Sequence, residues 1–264
     1  MTPNNNQGSA CRITVVVPTL DEAANIAACI ESVRWADRII VVDGGSGDDT
    51  VKVARERGAD VIQVAGMSIG EQRNVGIARA GGDWILALDA DERGTPGLEQ
   101  KLREAALASD HVFSLRRLNY FRGRVMRYGG WGGRGGRRGQ RVARFLPSTL
   151  RFETKRVHER LDFSRPVTPL DADILHEPYP DYETFERKLN LYAKWGAAQL
   201  KPRSRVELAV RAALHPPARF LRAVILRLGL LDGWRGLRLA WWGARAARLK
   251  YVLALQMNRD RRER

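Results

Sequence analysis

Asp89-Ala90-Asp91 sets two carboxylates at i and i+2 just after an apolar run, Trp84 to Leu88, and Glu92 follows directly. Hard oxygen donors at that density suit Mg²⁺ or Mn²⁺, which keep several waters and share coordination with substrate phosphates. The same residues would also serve as an acidic turn leading into the next helix, and spacing does not choose between the two. A third acid, Asp43, ends another apolar run, Ile39 to Val42. A carboxylate there can accept hydrogen bonds from a base or ribose, whereas Asp48, Asp49 and Thr50 beyond it read as turn and helix-cap residues.

These acids must be positioned by strands and helices in alternation. Ile13 to Val17, Ile39 to Val42, Val61 to Val64 and Trp84 to Leu88 are short, largely continuous apolar runs, the pattern of strands covered on both faces. Helical patterning follows each, with Ala23, Ile26, Ala27, Ile30 and Val33 the clearest case, then Glu71 to Ala80 and Leu98 to Leu107; Val112 to Leu115 is a further strand. Alternation of this kind implies an α/β fold with a mostly parallel sheet and right-handed crossovers. Ligands of such sheets bind beyond the carboxyl ends of the strands, so Pro18, Thr19, Asp21, Glu22, Asp43, Asp89, Asp91 and Glu92 are expected on one edge.

Composition narrows the functions available. The 264 residues are 44% apolar with 11 Pro, enough for a full core and incompatible with disorder of the whole chain. The formal net charge is +15. It is concentrated in Arg116 to Arg144, with 10 arginines and no acid, and in Lys201 to Arg264, with 16 basic and 4 acidic residues. A polyanionic partner follows, be it nucleic acid, anionic lipid or a phosphorylated sugar. Two cysteines, Cys11 and Cys29, without a CxxC pattern fit a reducing cytosol. Residues 1–10 lack the pattern of a secretory signal, and no run of 18 apolar residues occurs. No Walker pattern is present, and the GxGxxG spacing occurs only at Gly130 to Gly135, inside the Gly- and Arg-rich stretch rather than between a strand and a helix, which sets aside P-loop NTPases and dinucleotide oxidoreductases.

Four segments in order carry a resemblance. Val15 to Pro18 with Thr19 and Glu22, Asp43 to Thr50, Gly70 to Gly76, and Leu88 to Glu92 are similar to the signatures of family 2 inverting glycosyltransferases, which have the GT-A fold. Arg156-Val157-His158-Glu159, His176 with Tyr179 and Lys188-Leu189-Asn190, and Phe220 to Gly233 further resemble the bacterial subgroup that adds glucose to the lipopolysaccharide core. The resemblance implies that Pro18, Thr19, Glu22, Asp43 and Arg73 hold a nucleotide. It also implies that Asp89 and Asp91 form a DXD motif facing the diphosphate and its Mg²⁺ or Mn²⁺, Asp91 being the more direct ligand. Inversion by direct displacement needs a base for the acceptor hydroxyl; Glu159 is the candidate, with His158 orienting it, binding substrate or meeting the metal. Arg141 and Arg144 could clamp phosphates through their guanidinium forks.

The basic tail completes the expectation. Leu237, Ala240, Ala244, Ala247 and Tyr251 fall on one narrow helix face, and Arg235, Arg238, Arg245 and Arg248 on a neighbouring arc. Basic helices with tryptophans suit an anionic leaflet; a helical hairpin packed on the body or on a second subunit is the plainer alternative. The expected organisation is a catalytic domain over 1–178, with a nucleotide-sugar half at 11–115 and an acceptor half at 116–178, followed by a helical region at 179–264. The expected protein is cytoplasmic and peripheral on the inner face of the membrane, with a UDP-sugar donor and a lipid-linked or phosphorylated glycan acceptor. A single-stranded nucleic-acid binder using Tyr128, Trp131 and the Gly129 to Gly139 stretch ranks second, because it leaves the acidic edge unexplained.

Overall fold

The computed structural model describes residues 11–132, 140–153, 165–179, 181–198, 200 and 204–260. They form two units, Met1–Arg117 with Arg141–His176, and Leu118–Gln140 with Glu177–Arg264. Strand β1 (Ile13–Thr19) is buried at every residue, as a parallel strand covered on both faces must be. It pairs in parallel with β2 (Arg38–Asp43) on one side and β4 (Trp84–Ala87) on the other, and β3 (Asp60–Gln63) extends the sheet beyond β2. The parallel order 3-2-1-4 reverses direction at β1, the position at which doubly wound sheets leave a crevice.

Alternate residues of β1 serve opposite faces. Val15 and Val17 join Ile26 and Ile30 of α1 (Ala23–Ser32) in one core, and Val16 joins Ile77 of α3 (Ile69–Arg79) in the other. Helix α2 (Thr50–Glu56) links β2 to β3. Helix α3 starts with a capping box, in which Ser68 and Glu71 satisfy each other's backbone N–H groups.

Beyond β4 the sheet continues with strands that the apolar pattern does not announce. β5 (Glu92–Gly94) precedes α4 (Leu98–Ala108) and pairs antiparallel with β9 (Val167–His176); β8 (Gln140–Pro147) pairs antiparallel with β4; and β6 (Val112–Phe121) lies between β8 and β9. β6 runs ten residues rather than the four expected, and its last residues pair with β7 (Arg124–Val125) in a short hairpin.

That hairpin belongs to the second unit, so the division of the chain departs from a simple cut near residue 178. The reason is aromatic packing: Phe121, Met126 and Trp131 share a core with Phe185 of α5 (Tyr182–Ala198) and with Leu239 and Trp242 of α7 (Gly233–Asp260). Helix α6 (Arg205–Leu221) packs on α7 through a further core of Leu208, Tyr251 and Ala254. On the narrow face, Ala240, Ala244, Ala247 and Tyr251 are buried, as the spacing implies, and Leu237 at its start is half-buried. No helix of the described residues is long and apolar enough to cross a membrane.

Gly76 is where α3 approaches the sheet most closely: a Cβ there would lie 2.4 Å from Val16 Cγ1 and 3.2 Å from Val42 Cγ2. Gly76→Ala therefore overpacks the core and lowers stability by about 1–3 kcal/mol, read as a lower urea midpoint. An unchanged midpoint would show that the helix is not pressed onto these strands.

Candidate functional site at the carboxyl edge

The loops after β1 and β2 are stitched to each other. Asp21 has φ 55°, a left-handed conformation unusual for a side-chain-bearing residue. Its Oδ1 accepts the Gly47 N–H at 2.8 Å, and its own N–H donates to Ser46 Oγ at 2.9 Å. Glu22 donates its N–H to Thr50 Oγ1 (2.8 Å) and accepts from Asn25 Nδ2 (2.7 Å). Asp48 accepts from Ala23 N and Thr50 N, the structural role its position in the turn implies.

Asp43 sits in register with Thr19 and is wholly buried. Its carboxylate accepts from Thr19 Oγ1, from the Gly45 and Ser46 N–H groups, and from Ser46 Oγ. These bonds fix the Asp43 carboxylate against the loop that follows β2. Pro18 is buried as the penultimate residue of β1, and Thr19 faces Asp43. Gly44 has no room for a side chain, since a Cβ there would meet Gln72 Nε2 at 2.7 Å.

Asp89 follows β4 and is gripped from two sides. Arg73 Nη2 from α3 lies 2.5 Å from Oδ1, and Arg144 Nη2 from β8 lies 2.5 Å from Oδ2. Behind it Glu92 is fully buried, accepts the Asp89 N–H at 3.0 Å, and faces Arg144 at 3.3 Å and Arg117 at 3.6 Å. Burial opposes ionisation of Asp89, but Arg144 and Arg73 outweigh it and hold the carboxyl well below the usual range. Burial pushes the Glu92 carboxyl above its ordinary value, with Arg144 pulling against it and Asp89 adding. Burial also works against the charge of Arg144, which Asp89 and Glu92 more than restore.

Asp89 therefore departs from the expectation of an open metal ligand: both oxygens are engaged by guanidinium groups. Arg144 correspondingly reads as the holder of two acids rather than a free phosphate clamp. Arg141 spans carbonyls of Ser114 and Leu170, both at 3.0 Å, and braces neighbouring strands.

Asp91 is placed differently. Its Oδ2 lies 3.4 Å from His176 Nε2, and the two side chains keep 17% and 18% of their surface exposed. The pairing that achieves this is Glu92 opposite His176 in the β5–β9 ladder. A carboxylate oxygen and an imidazole nitrogen at this separation suit adjacent positions around one divalent ion, the remaining positions falling to waters and phosphate. Among the described residues no group of three or more His, Cys, Asp or Glu side chains could hold a metal.

Three contributors escaped the sequence reading. His176 was singled out only as part of the resemblance, and nothing in its own neighbourhood, Glu177-Pro178, signals that β9 returns it to Asp91. Glu92 was expected at the edge but not as the buried anchor, and Gln72 gave no signal. Gln72 Oε1 and Arg144 Nε are buried without a hydrogen-bond partner. His158 and Glu159 lie outside the described residues. The chain approaches them from an anchored point, because Asn74 and Phe152 exchange two 2.8 Å hydrogen bonds and the Arg73 guanidinium stacks 5.0 Å from the Phe152 ring.

In the second unit, Trp131 packs against Phe121, Tyr179 and Phe185, which removes it as a stacking platform for single strands. Gly129 donates its N–H to Arg227 O and lies against Gly229. The described glycines of the Gly129 to Gly139 stretch thus serve packing; residues 133–139 lie outside the description.

The carboxyl edge of this doubly wound sheet thus gathers acids, arginines and a histidine. Residues 14–158 match the sequence profile of "Glycosyl transferase family 2", and the chain belongs to that family. An uncharacterized glycosyltransferase of Rickettsia typhi is 33% identical over 235 residues, covering 85% of this chain and 80% of the relative. One from Rickettsia prowazekii is 24% identical over 234 residues, with the same coverage. Among solved structures, glucosyl-3-phosphoglycerate synthase from Mycobacterium tuberculosis with Mn²⁺, uridine diphosphate and product is 27% identical, at a TM-score of 0.37. That match covers 42% of this chain and 44% of the other. The protein is a glycosyltransferase.

Asp89→Asn removes the charge that faces two buried arginines and is expected to cost on the order of 3 kcal/mol at neutral pH, seen in chemical denaturation. Because the folded-state pKa of Asp89 is depressed, its contribution is complete above the ordinary aspartate value of about 4 and is lost as pH falls through the folded value. Stability of the wild type should therefore fall more steeply with acid than that of Asp89→Asn. Parallel pH profiles would refute the clamp.

Proposed function

We propose that the chain transfers a hexosyl group, glucose in the first instance, from a UDP-sugar with inversion at the anomeric carbon, using Mg²⁺ or Mn²⁺. The acceptor of this reading is a lipid-linked or phosphorylated glycan, the lipopolysaccharide core being the particular case that the segments from Arg156 to Gly233 resemble. The observation that carries it is the Asp91–His176 pair, brought together by the Glu92–His176 register of β5 and β9. A bound divalent ion supplies positive charge to a departing nucleoside diphosphate. An imidazole beside a carboxylate favours Mn²⁺ over Mg²⁺.

The chain's own groups divide the remaining work. Asp43 and the stitched loops shape the floor where a nucleoside would rest, and the unpartnered Gln72 Oε1 offers an acceptor close to the Gly44 turn. Arg73 and Arg144 keep Asp89 ionised, so that the edge carries a fixed arrangement of charge before substrate arrives. Glu159 takes the proton of the acceptor hydroxyl as that oxygen attacks the anomeric carbon and the bond to the diphosphate breaks; His158 orients it. The reading extends to a cytoplasmic, membrane-peripheral location, to which the two free cysteines are suited.

Asp91→Asn and His176→Ala should each lower Mn²⁺-dependent transfer or hydrolysis of UDP-glucose on the order of 100-fold or more while leaving the melting temperature near that of wild type. Turnover close to wild type in both would remove the metal assignment. Glu159→Gln should reduce kcat by roughly 100-fold or more with donor affinity retained; unaltered turnover would reassign Glu159 to structure.

A further inference from the structure

The second unit exposes apolar surface where a water-facing helical hairpin would carry polar residues. Along α6, Val210, Leu214 and Leu221 lie on one helix face and point outward, Leu214 with 65% of its surface exposed. The chain then turns through a π-helical segment (222–226) and a 3₁₀ turn (229–232), and this corner presents Ile225, Leu226, Leu230, Leu231 and Trp234, with Leu226 77% exposed. A groove of about 680 Å³ adjoins the stripe between α6 and α7, walled by Pro216, Phe220, Trp241 and Val252 and bordered by Arg245 and Arg248. Scattered single apolar residues on a surface need no explanation, but a row of them along one helix face, continued through the adjoining corner, does.

Charge identifies the occupant. From residue 208 to 259 the chain has ten basic residues and one acid, Asp232. Asp232 is buried, and its carboxylate accepts the Arg127 and Tyr128 N–H groups. The face is therefore apolar with a cationic border; Arg219, Arg222 and Arg248 on it are exposed. A second copy docked symmetrically would oppose the same positive borders. A bilayer with anionic headgroups satisfies both halves, leucines and tryptophans entering the acyl boundary while guanidinium groups meet phosphate.

We propose that the α6 stripe and the 221–234 corner form an insertion surface for an anionic phospholipid bilayer. It rests on the second unit's own surface and does not depend on the sugar-transfer reading.

The test is co-sedimentation of the full chain with phosphatidylcholine vesicles, with and without phosphatidylglycerol. Binding should require the anionic lipid. The double variant Leu226→Ser/Leu230→Ser should lower partition by roughly tenfold or more, with its melting temperature and Mn²⁺-dependent nucleotide binding unchanged, and Arg222→Glu should weaken anionic binding alone. Equal partition of wild type and the double variant would overturn the proposal, as would binding indifferent to phosphatidylglycerol. Sedimentation velocity showing a dimer that dissociates in the double variant, without vesicle binding, would overturn it in favour of a second copy.

Discussion

The carboxylate of Asp89 is the point through which the carboxyl edge is held. It lies just beyond β4, and its two oxygens receive one arginine from α3 and one from β8, elements 71 residues apart in sequence between Arg73 and Arg144. Two guanidinium groups buried without that charge would face a desolvation cost that neither could bear alone. Glu92 deepens the arrangement from behind, fully buried and bonded to the Asp89 backbone. With these charges fixed, Asp91 is turned to the open side, where His176 meets it. Asp89 and Asp91 thus have different surroundings, one held between two arginines and the other beside a histidine.

Much of this was legible in the residues. The parallel half of the sheet follows from β-branched runs at regular intervals, and the acids at the strand ends identify the edge. The signal weakens past residue 115 because β8 and β9 mix charged with apolar residues, as in Arg141-Val142-Ala143-Arg144 and Leu170-Asp171-Ala172-Asp173, and carry no continuous apolar run like those of β1 and β2. Their charged residues form ion pairs and brace neighbouring strands, Arg116 with Asp173 among them. Local pattern cannot reveal such partners, since they lie tens of residues apart. His176 was overlooked as a neighbour of Asp91 for that reason: only the β5–β9 register brings them together.

The second unit shows the same limit in another form. The buried alanine face of α7 could be read from its spacing, and it packs as expected. What could not be read is that Phe121 and Trp131, far upstream, complete its aromatic core. Nor does periodicity reveal that α6 is apolar on the side left open to solvent. Arginine content alone suggests several polyanions; the exposed leucines beside those arginines add an apolar requirement that charge counting does not contain.

The central claim is that Asp91 and His176, not Asp89, offer ligands to a metal that a nucleoside diphosphate completes. Thermal melting with UDP, Mn²⁺ and both together, for wild type and His176→Ala, addresses it directly, because a ligand bound only by the native state raises the melting temperature. The account predicts that in wild type the two together raise it beyond either alone, and that His176→Ala keeps its own melting temperature but loses this synergy. A wild type stabilised equally by UDP with or without Mn²⁺, or a variant that retains the synergy, would contradict it.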